Sequence, residues 1–360
     1  MASPTSIHSG PYLRIAAFGA LCLVPMFGQS LPPGLKNYLE GQVKFTSQEL
    51  ASVASGQGVA KALEAQGEEL GVVGAVYINV PPEYLFRAYA QFDKFEPAGA
   101  LQYGRFSNPA KASDVAKLTL DAGDLKELRD CKPGDCGLVF PDQAIERFRK
   151  EIDWKAGDAA AKANTLYRTM LVNYVNEYQK RGEEALLSVH NRKDVQSIRD
   201  GLRELMAHTP IIAQATPQLT AHMQQFPRNQ RADSKDYFFW IKSDTGMQPV
   251  TSAAHMVIHK EVAPNGKTIY AFAARALYGN RYFRDAIAYR FLVPATGDAD
   301  PKALYYVNIT RAHADGLTGM KAKLIRGKLV TGMQKSTTEQ MTATKKVIED
   351  WYRQYAPAAK

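Results

Sequence analysis

The strongest constraint on this chain is a run of alternating apolar and polar residues between positions 237 and 309, interrupted at short intervals by turn residues. Such alternation predicts β-strands. The five predicted strands are Tyr237–Lys242, Val250–Val262, Lys267–Tyr278, Asp285–Val293 and Leu304–Arg311. The intervening turns contain Asp244-Thr245-Gly246, Pro264-Asn265-Gly266, Gly279-Asn280 and Thr296-Gly297-Asp298. Because Asn-Gly is a strong hairpin signal, the segment predicts an antiparallel meander.

The segment before the meander contains a further strand and a helix start. Residues 71–80 are rich in β-branched side chains and predict a strand. Pro81-Pro82-Glu83 suits the first turn of a helix, which would run to about Phe92. Short strands are expected near 101–107 and 114–121. Residues 31–70 are weakly patterned, with a short helix near 47–55 or 58–66.

A long helix is predicted at the C-terminal end. Asp315 suits the N-cap, and apolar residues from Leu317 onward recur at helical spacing, so their stripe can lie across a sheet. Gly319, Gly327 and Gly332 each cost up to about 1 kcal/mol inside a helix. We expect close approach to a sheet or a ligand to compensate for them.

Residues 142–225 differ in character from the meander. They contain 5 aromatic residues in 84 positions, whereas residues 237–309 contain 13 in 73. Their apolar residues recur at helical spacing and are separated by glycine and proline. The pattern predicts a block of three to five helices whose apolar stripes form core rather than cofactor contacts.

Two short motifs connect this order of elements with a known fold. They are Ile78-Asn79-Val80-Pro81-Pro82-Glu83, and Tyr305-Tyr306-Val307-Asn308 leading through Arg311 and Asp315-Gly316-Leu317 into the last helix. With these motifs the chain resembles the START-like (SRPBCC) helix-grip superfamily, which includes polyketide cyclases and Bet v 1-type allergens. It is also similar to bacterial exported proteins of this type. The expected fold class is α+β, with a helix-grip antiparallel sheet wrapped on the long C-terminal helix and an inserted helical block.

The resemblance implies a cavity between the sheet and the last helix that binds a lipid, a sterol or another hydrophobic small molecule. The aromatic-rich meander is compatible with such a cavity, and equally with a filled core. The expected division of the chain is a signal peptide (1–30), an N-terminal arm (31–70), the first part of the helix-grip domain (71–141), the helical insertion (142–230), and the meander with the C-terminal helix (231–356).

The N-terminus has the pattern of an export signal. Arg14 precedes an apolar run of 13 residues, Ile15 to Phe27, which is too short to span a membrane. Cleavage after Gly28-Gln29-Ser30 would start the mature chain at Leu31. We therefore expect a periplasmic or secreted protein, the alternative being a buried N-terminal helix.

Removal of residues 1–30 would leave two cysteines, Cys131 and Cys136, on either side of a Pro-Gly turn. A turn can bring two cysteines within bonding distance, and an exported protein meets an oxidising compartment. We predict a disulfide. The alternatives are two free thiols or half of a metal site.

Polar residues that interrupt the apolar strands are the candidate ligand-binding residues. A buried arginine or histidine needs a partner, which could be a core acid or an anionic ligand. The candidates are His255, Arg275, Tyr278, Tyr282, Arg290, Asn308 and Arg311, with surface or paired-core positions as the structural alternative. His255 and His259 lie on one strand about 13 Å apart, too far to share a zinc ion. Neither a cofactor nor a metal is predicted, because the common catalytic motifs are absent.

Positive charge is concentrated near the C-terminus. The whole chain has 45 basic and 36 acidic residues, a net charge of +9, and residues 311–360 contribute 10 basic and 4 acidic residues. The predicted C-terminal helix could therefore face an anionic membrane surface, although a basic face exposed to solvent is the common alternative. Nucleic-acid binding does not suit an exported protein.

Three functions are compatible with these patterns. The first is an exported carrier of a hydrophobic small molecule, which needs no catalysis. The second is an enzyme, a cyclase or hydrolase, that uses the same cavity. The third is a structural or interaction module that binds a partner through the helical block.

Overall fold

The structure is a computed structural model that describes residues 30–89, 100–190, 192–244, 248–262, 266–298, 301–315, 317 and 322–355. Apart from Ser30, the predicted signal peptide lies outside the described residues. Gly319, the Asn265 turn position and the predicted helix end at Phe92 also lie outside them.

The described chain contains ten strands and ten α-helices. In the N-terminal third these are α1 (Pro33–Asn37), a π-helix (Tyr38–Gln42), α2 (Ser47–Ala54), β1 (Val59–Ala62), β2 (Glu69–Ile78), α3 (Pro82–Tyr89), β3 (Ala100–Phe106), a 3₁₀-helix (Ala112–Val115) and α4 (Ala122–Asp130). The middle third contains α5 (Asp142–Glu151), α6 (Ala159–Arg181), a 3₁₀-helix (Gly182–Ala185), β4 (Ser188–Val189), β5 (Gln196–Ser197), α7 (Ile198–Ala207), α8 (Pro210–Ala215) and α9 (Pro217–Gln225). The last third contains β6 (Ser234–Ser243), β7 (Val250–Val262), β8 (Thr268–Gly279), β9 (Phe283–Pro294), β10 (Leu304–Ala314) and α10 (Ala322–Tyr355).

Eight of the strands form one antiparallel sheet in the order β1-β2-β10-β9-β8-β7-β6-β3. The five-strand meander predicted from the alternation is therefore confirmed as β6 to β10. β2 lies beside the last strand, with Val76 opposite Tyr306. With α10 packed on one face and the helices of residues 142–225 inserted between β3 and β6, this is the predicted α+β helix-grip arrangement.

The N-terminal arm contributes directly to the sheet. Thr46 and Glu49 form a capping box at the start of α2, because each side chain accepts a hydrogen bond from the other's backbone N–H. The helix expected near 47–55 is thus present, whereas the alternative near 58–66 is wrong. β1 lies there instead and pairs with β2, so that it extends the edge of the sheet.

The prediction of a strand near 114–121 is wrong. The segment begins with the end of a 3₁₀-helix and then runs without a strand, burying Val115, Leu118 and Leu120 against the inserted helices. Its backbone finds partners across the chain instead of in a ladder. Trp240 Nε1 donates to the carbonyl oxygen of Asp114, and Lys242 Nζ donates to that of Thr119. The alternating apolar residues of this segment therefore pack into the core although the segment pairs with no strand.

Cys131 and Cys136 form the predicted disulfide, with Cα atoms 4.6 Å apart. The Lys132–Asp135 turn closes between them, and Gly134 has a positive φ of 80°. The closed loop is short, so the bond stabilises the fold by roughly 2 kcal/mol. Among the described residues, no helix combines the length and apolarity that crossing a membrane would need.

Helix α10 packs against the sheet at Gly74 of β2. A Cβ atom there would lie 2.7 Å from both Met341 Cε and Thr337 Cγ2, so glycine permits the close approach. The glycines of the helix itself behave differently. A Cβ atom added at Gly327 or Gly332 would have no neighbouring atom within 4 Å, so the predicted close approach to the sheet is wrong for these two positions. The alternative, approach to a ligand, stays a prediction.

The contrast between Gly74 and Gly327 generates a stability prediction. Gly74→Val should lower the free energy of unfolding by about 1–3 kcal/mol, because the added atoms overlap α10. Gly327→Ala is the matched control and should raise it by up to about 1 kcal/mol, since alanine favours an exposed helix. Urea unfolding measures both changes. An unchanged Gly74→Val protein would contradict this packing.

Candidate functional site

Side chains alternate between the two faces of the sheet, and this separates the seven predicted ligand residues. We call the face that carries α10 the grip face and the face covered by the inserted helices the block face. Arg290 and Asn308 are directly opposed on neighbouring strands of the grip face. His255 and Arg275 are directly opposed on the block face, where Tyr278 and Arg311 also lie. Tyr282 lies in the turn between β8 and β9. The structure therefore does not bring the seven together in one pocket.

His255 lies at the centre of a buried polar cluster on the block face. Its Nδ1 is 2.9 Å from the hydroxyl of Tyr178 on α6, and its Nε2 is 2.7 Å from Asp236 Oδ1 on β6. Asp236 Oδ1 is also 2.9 Å from His222 Nε2 on α9. The Phe226 ring packs against His255 at 4.5 Å between centroids. The cluster joins two inserted helices to the sheet.

Protonation in this cluster is governed by burial and by Asp236. Burial lowers the pKa of His255 to about 4, although the hydrogen bond with Asp236 opposes the shift. Burial also lowers the pKa of His222, but its hydrogen bond to Asp236 outweighs that effect and the net pKa is raised. The two imidazoles hold the pKa of Asp236 well below its usual range against the opposing effect of burial. His255 is consequently neutral at neutral pH.

Arg275 and Tyr278 are also enclosed beneath the helical block. Arg275 is fully buried, with Nη1 3.1 Å from Glu183 Oε1 and its guanidinium 5.2 Å from the centre of the Tyr178 ring. Its Nε and Nη2 have no hydrogen-bond partner among the described residues. Tyr278 is buried against Tyr167 and Phe140. Both residues occupy core positions that attach the block to the sheet.

The last two predicted ligand residues, Arg311 on the block face and Tyr282 in the turn between β8 and β9, lie at the ends of the sheet. Arg311 pairs with Glu69 on the neighbouring strand. Tyr282 has a positive φ of 62°, and its hydroxyl accepts a hydrogen bond from the backbone N–H of Gln248 at 3.3 Å. The half-buried Tyr282 and the buried Tyr278 therefore differ in their access to solvent.

Small residues form the floor of the grip face beyond α10. Four alanines on β8 and β9 point to this face and remain partly exposed: Ala274, Ala276, Ala286 and Ala288. On the opposite face of β8, Ala271 and Ala273 are fully buried. The difference shows open space next to the alanines of the grip face. Aromatic side chains from α3 border it, since Phe86 and Tyr89 pack against Phe272.

Arg290 introduces a positive charge at the edge of this floor. Among the described residues it has no carboxylate within ion-pair distance. Burial lowers the pKa of Arg290, but the neighbouring Tyr306 and Tyr89 hydroxyls outweigh that effect and raise it. The two hydroxyl oxygens lie 3.1 Å apart. Arg290 therefore keeps its charge beside phenolic groups rather than beside an acid.

Asn308 adds an unsatisfied acceptor next to Arg290. Its Nδ2 donates to Thr310 Oγ1 at 3.2 Å, whereas its Oδ1 is buried without a hydrogen-bond partner among the described residues. A buried amide oxygen left unpaired costs free energy, so such groups commonly receive a ligand or water donor. Arg290, Asn308, Tyr306 and Tyr89 thus form a polar group at the border of an apolar surface.

Sequence reasoning identified Arg290 and Asn308 but missed Tyr89, Tyr306 and the alanine floor. Tyr306 lies two residues before Asn308 on the same strand, so alternation places both side chains on one face of the sheet. The sequence could therefore have predicted Tyr306 once Asn308 was chosen as a candidate. Along β8 and β9 the alanines recur at every second position, which places them on one face of the sheet. This spacing could have predicted open space on that face. Tyr89 lies on α3, and only tertiary packing places it here.

No family model matches the chain, and no curated protein matches it. Among solved structures it is similar to the crystal structure of Zhui aromatase/cyclase from Streptomyces sp. R1128, with 13% identity and a TM-score of 0.26, covering 43% of this chain and 88% of that chain. At this identity and TM-score no property of that protein is carried over to this chain. Within the described residues, no group of three or more histidine, cysteine or acidic side chains is arranged to hold a metal ion.

The low pKa of His255 predicts a specific acid sensitivity. An unfolded histidine titrates near pH 6.5, so the native state resists protonation of His255. The stability that the neutral ring contributes is complete above about pH 6.5 and is lost as the pH falls towards 4, by at most about 1.4 kcal/mol per pH unit. Urea unfolding across this range should show a smaller acid loss for His255→Gln than for the wild type. Parallel pH profiles of the two proteins would contradict the assignment.

Proposed function

We propose that the protein binds a hydrophobic small molecule with an anionic or other electron-rich end on the grip face. The observation that carries the proposal is Arg290, a half-buried guanidinium beside tyrosines with no carboxylate partner among the described residues. A partly desolvated cation without an ion partner is costly, so an incoming anion would recover part of that cost. Apolar sites with a few convergent polar groups are the usual composition of ligand pockets.

The surroundings of Arg290 support an amphipathic rather than a fully polar ligand. The alanine floor leaves room for an apolar body, and Phe86, Tyr89 and Phe272 supply aromatic walls. Tyr306 and the free Oδ1 of Asn308 can hydrogen-bond to a polar end. This arrangement binds and orients a molecule without needing a nucleophile, in agreement with a carrier.

The proposal includes export of the mature chain to the periplasm or the medium. It is supported by the apolar segment that ends at Phe27 and by the Cys131–Cys136 disulfide, which suits an oxidising compartment. Mass spectrometry of the purified protein should find Leu31 as the N-terminal residue. A chain that retains Met1 would argue against a cleaved signal.

A further part of the proposal is contact between the first half of α10 and an anionic membrane surface. Leu324 is 64% exposed, and a surface depression of about 820 Å³ is lined by Lys323, Leu324, Gly327, Lys328, Thr331 and Gly332. Lys323 and Lys328 have no ion-pair partner among the described residues. Lysines beside exposed apolar side chains favour attachment to anionic lipid headgroups.

The role of Arg290 generates a ligand-binding prediction, tested with cis-parinaric acid and its methyl ester as fluorescent probes. Arg290→Met keeps the length of the side chain but removes the charge. It should weaken binding of the acid about 10- to 100-fold while leaving the neutral ester nearly unchanged. Ala288→Phe, which fills the floor, should weaken both.

The matched control is Arg147→Met on α5, whose guanidinium pairs with Glu151 on the opposite side of the sheet. It should bind both probes as the wild type does. The proposal fails if neither probe binds the wild type and extracts of the purified protein contain no apolar molecule. It also fails if Arg290→Met leaves the preference for the acid intact.

The lysines of α10 generate a second prediction. The wild type should co-sediment with vesicles of phosphatidylglycerol and not with phosphatidylcholine. Lys323→Glu with Lys328→Glu should lower this binding about 30-fold or more, at about 1 kcal/mol per lysine. The control pair, Lys150→Glu with Lys180→Glu, changes the same charge on the helical block. Equal loss in both pairs would indicate that net charge alone governs binding and would contradict a specific surface.

A further inference from the structure

A second polar site lies on the block face, at the end of the sheet where the chain enters β2 and leaves β10. It is a groove of about 970 Å³, separate from the grip face. Its lining residues are Glu64, Ala65, Gln66, Gly67, Glu68, Glu69, Glu204, His208, Arg284, Arg311 and His313. The hairpin before β2, the end of α7 and the last turns of the sheet meet there.

Strand register places three titratable side chains in one row across this end. His313 on β10 lies opposite Glu69 on β2 and opposite Asp285 on β9. His313 Nδ1 is 2.6 Å from Asp285 Oδ1, and Asp285 Oδ2 accepts a hydrogen bond from Arg284 Nε at 2.8 Å. Asp285 is fully buried beneath α7. Gly201 makes this possible, because a Cβ at that position would lie 2.3 Å from Asp285 Oδ2.

This arrangement sets the tautomer and direction of the His313 ring. With Asp285 accepting from Nδ1, the neutral imidazole carries its proton on Nδ1 and a lone pair on Nε2. The acid nearest to Nε2 is Glu204 Oε2 at 3.8 Å, beyond hydrogen-bond distance. The ring is only 5% exposed, and Glu204, the acid nearest to Nε2, lines the groove together with His313, so Nε2 is the ring nitrogen on the groove side.

A second pair lines the same groove. His208 Nδ1 is 2.6 Å from Glu69 Oε2, and the other oxygen of Glu69 pairs with Arg311. Arg311 Nε is buried without a hydrogen-bond partner among the described residues. The groove thus offers two imidazoles oriented by carboxylates, the buried His313 and the exposed His208. Two residues from His313 on β10, Arg311 supplies a guanidinium that can stabilise negative charge.

We propose that this groove hydrolyses small neutral or cationic esters, with His313 as the general base. His313 Nε2 takes a proton from a water molecule as the water oxygen bonds to the ester carbonyl carbon. The resulting oxyanion is stabilised by Arg311. The carbon–oxygen bond to the alcohol then breaks, and His313 returns the proton to the departing alkoxide, so the products are an acid and an alcohol. Asp285 is a positioning residue. Glu64, Glu68 and Glu204 on the rim disfavour anionic esters.

The pH dependence follows from the charged groups around His313. These are Asp285 on β9 with Arg284 beside it, Glu69 on β2, Arg311 on the same strand, Glu204 and His208 from α7 and its end, and Glu64 and Glu68 before β2. Burial lowers the pKa of His313, but the hydrogen bond to Asp285 outweighs that effect and the net pKa is raised. Since the base form is the active one, the rate should rise with pH through a midpoint above that of free histidine.

The test measures hydrolysis of p-nitrophenyl acetate by the full chain. His313→Gln keeps a hydrogen-bond donor for Asp285 and should lower kcat/KM about 100-fold or more. Glu204→Gln, at a residue whose side chain is 57% exposed, removes the charge nearest to Nε2. It should move the midpoint of the pH–rate profile to lower pH, an effect that a structural role alone would not produce. Circular dichroism checks the fold of each variant.

Two control variants separate this site from general surface reactivity. His190→Gln removes an imidazole that pairs with Asp142 outside the groove, and Glu177→Gln removes an exposed carboxylate on α6. Both should leave the rate and its midpoint unchanged. The proposal is overturned if His313→Gln retains the wild-type rate, if His190→Gln loses as much, or if Glu204→Gln leaves the midpoint in place. Arg290→Met should not affect hydrolysis, so this result is independent of ligand binding on the grip face.

Discussion

The alternation of side chains across the meander is the constraint on which the rest of the structure depends. A one-residue shift in register would move every side chain of a strand to the other face. In this protein α10 packs on part of one face and the inserted helices pack on the other, so each strand position is committed to one environment. Arg290 and Asn308 consequently face α10, whereas His255 and Arg275, which look equivalent in sequence, are enclosed beneath the block.

Burial of histidines on the block face explains how a helical insertion is held on a sheet. Every histidine in the described part of the chain lies within 3 Å of a carboxylate oxygen: His190, His208, His222, His255, His259 and His313. A buried imidazole is costly without such a partner. Most of these pairs join different elements, which makes them specific attachment points. His313 is the buried one of the two histidines that line the groove, so the same interaction also prepares a base.

Particular residues show where prediction from the sequence succeeded. The Val250–Val262 strand was predicted with its observed bounds, because turn residues in the sequence precede and follow it. The segment 114–121 has a similar local pattern but no partner strand, and Trp240 and Lys242 bind its backbone instead. Gly327 and Gly332 were expected to approach the sheet or a ligand, but neither meets the sheet, and Gly74 on β2 makes the close contact with α10 instead. Helix rotation is set by tertiary packing, which no local pattern reports.

The amino-acid sequence by itself determined the meander, the helical block, the closing helix and the cysteine pair, because these depend on periodicity and turn residues over short distances. It also identified Arg290 and Asn308 as polar interruptions. Only the tertiary structure decided which polar residues share a face and which acid each histidine meets. Asp285 flanks His313 from the preceding strand, whereas Glu69 flanks it from β2, far earlier in the chain, and sheet register brings all three together. Long-range pairing of this kind is a property of the folded sheet.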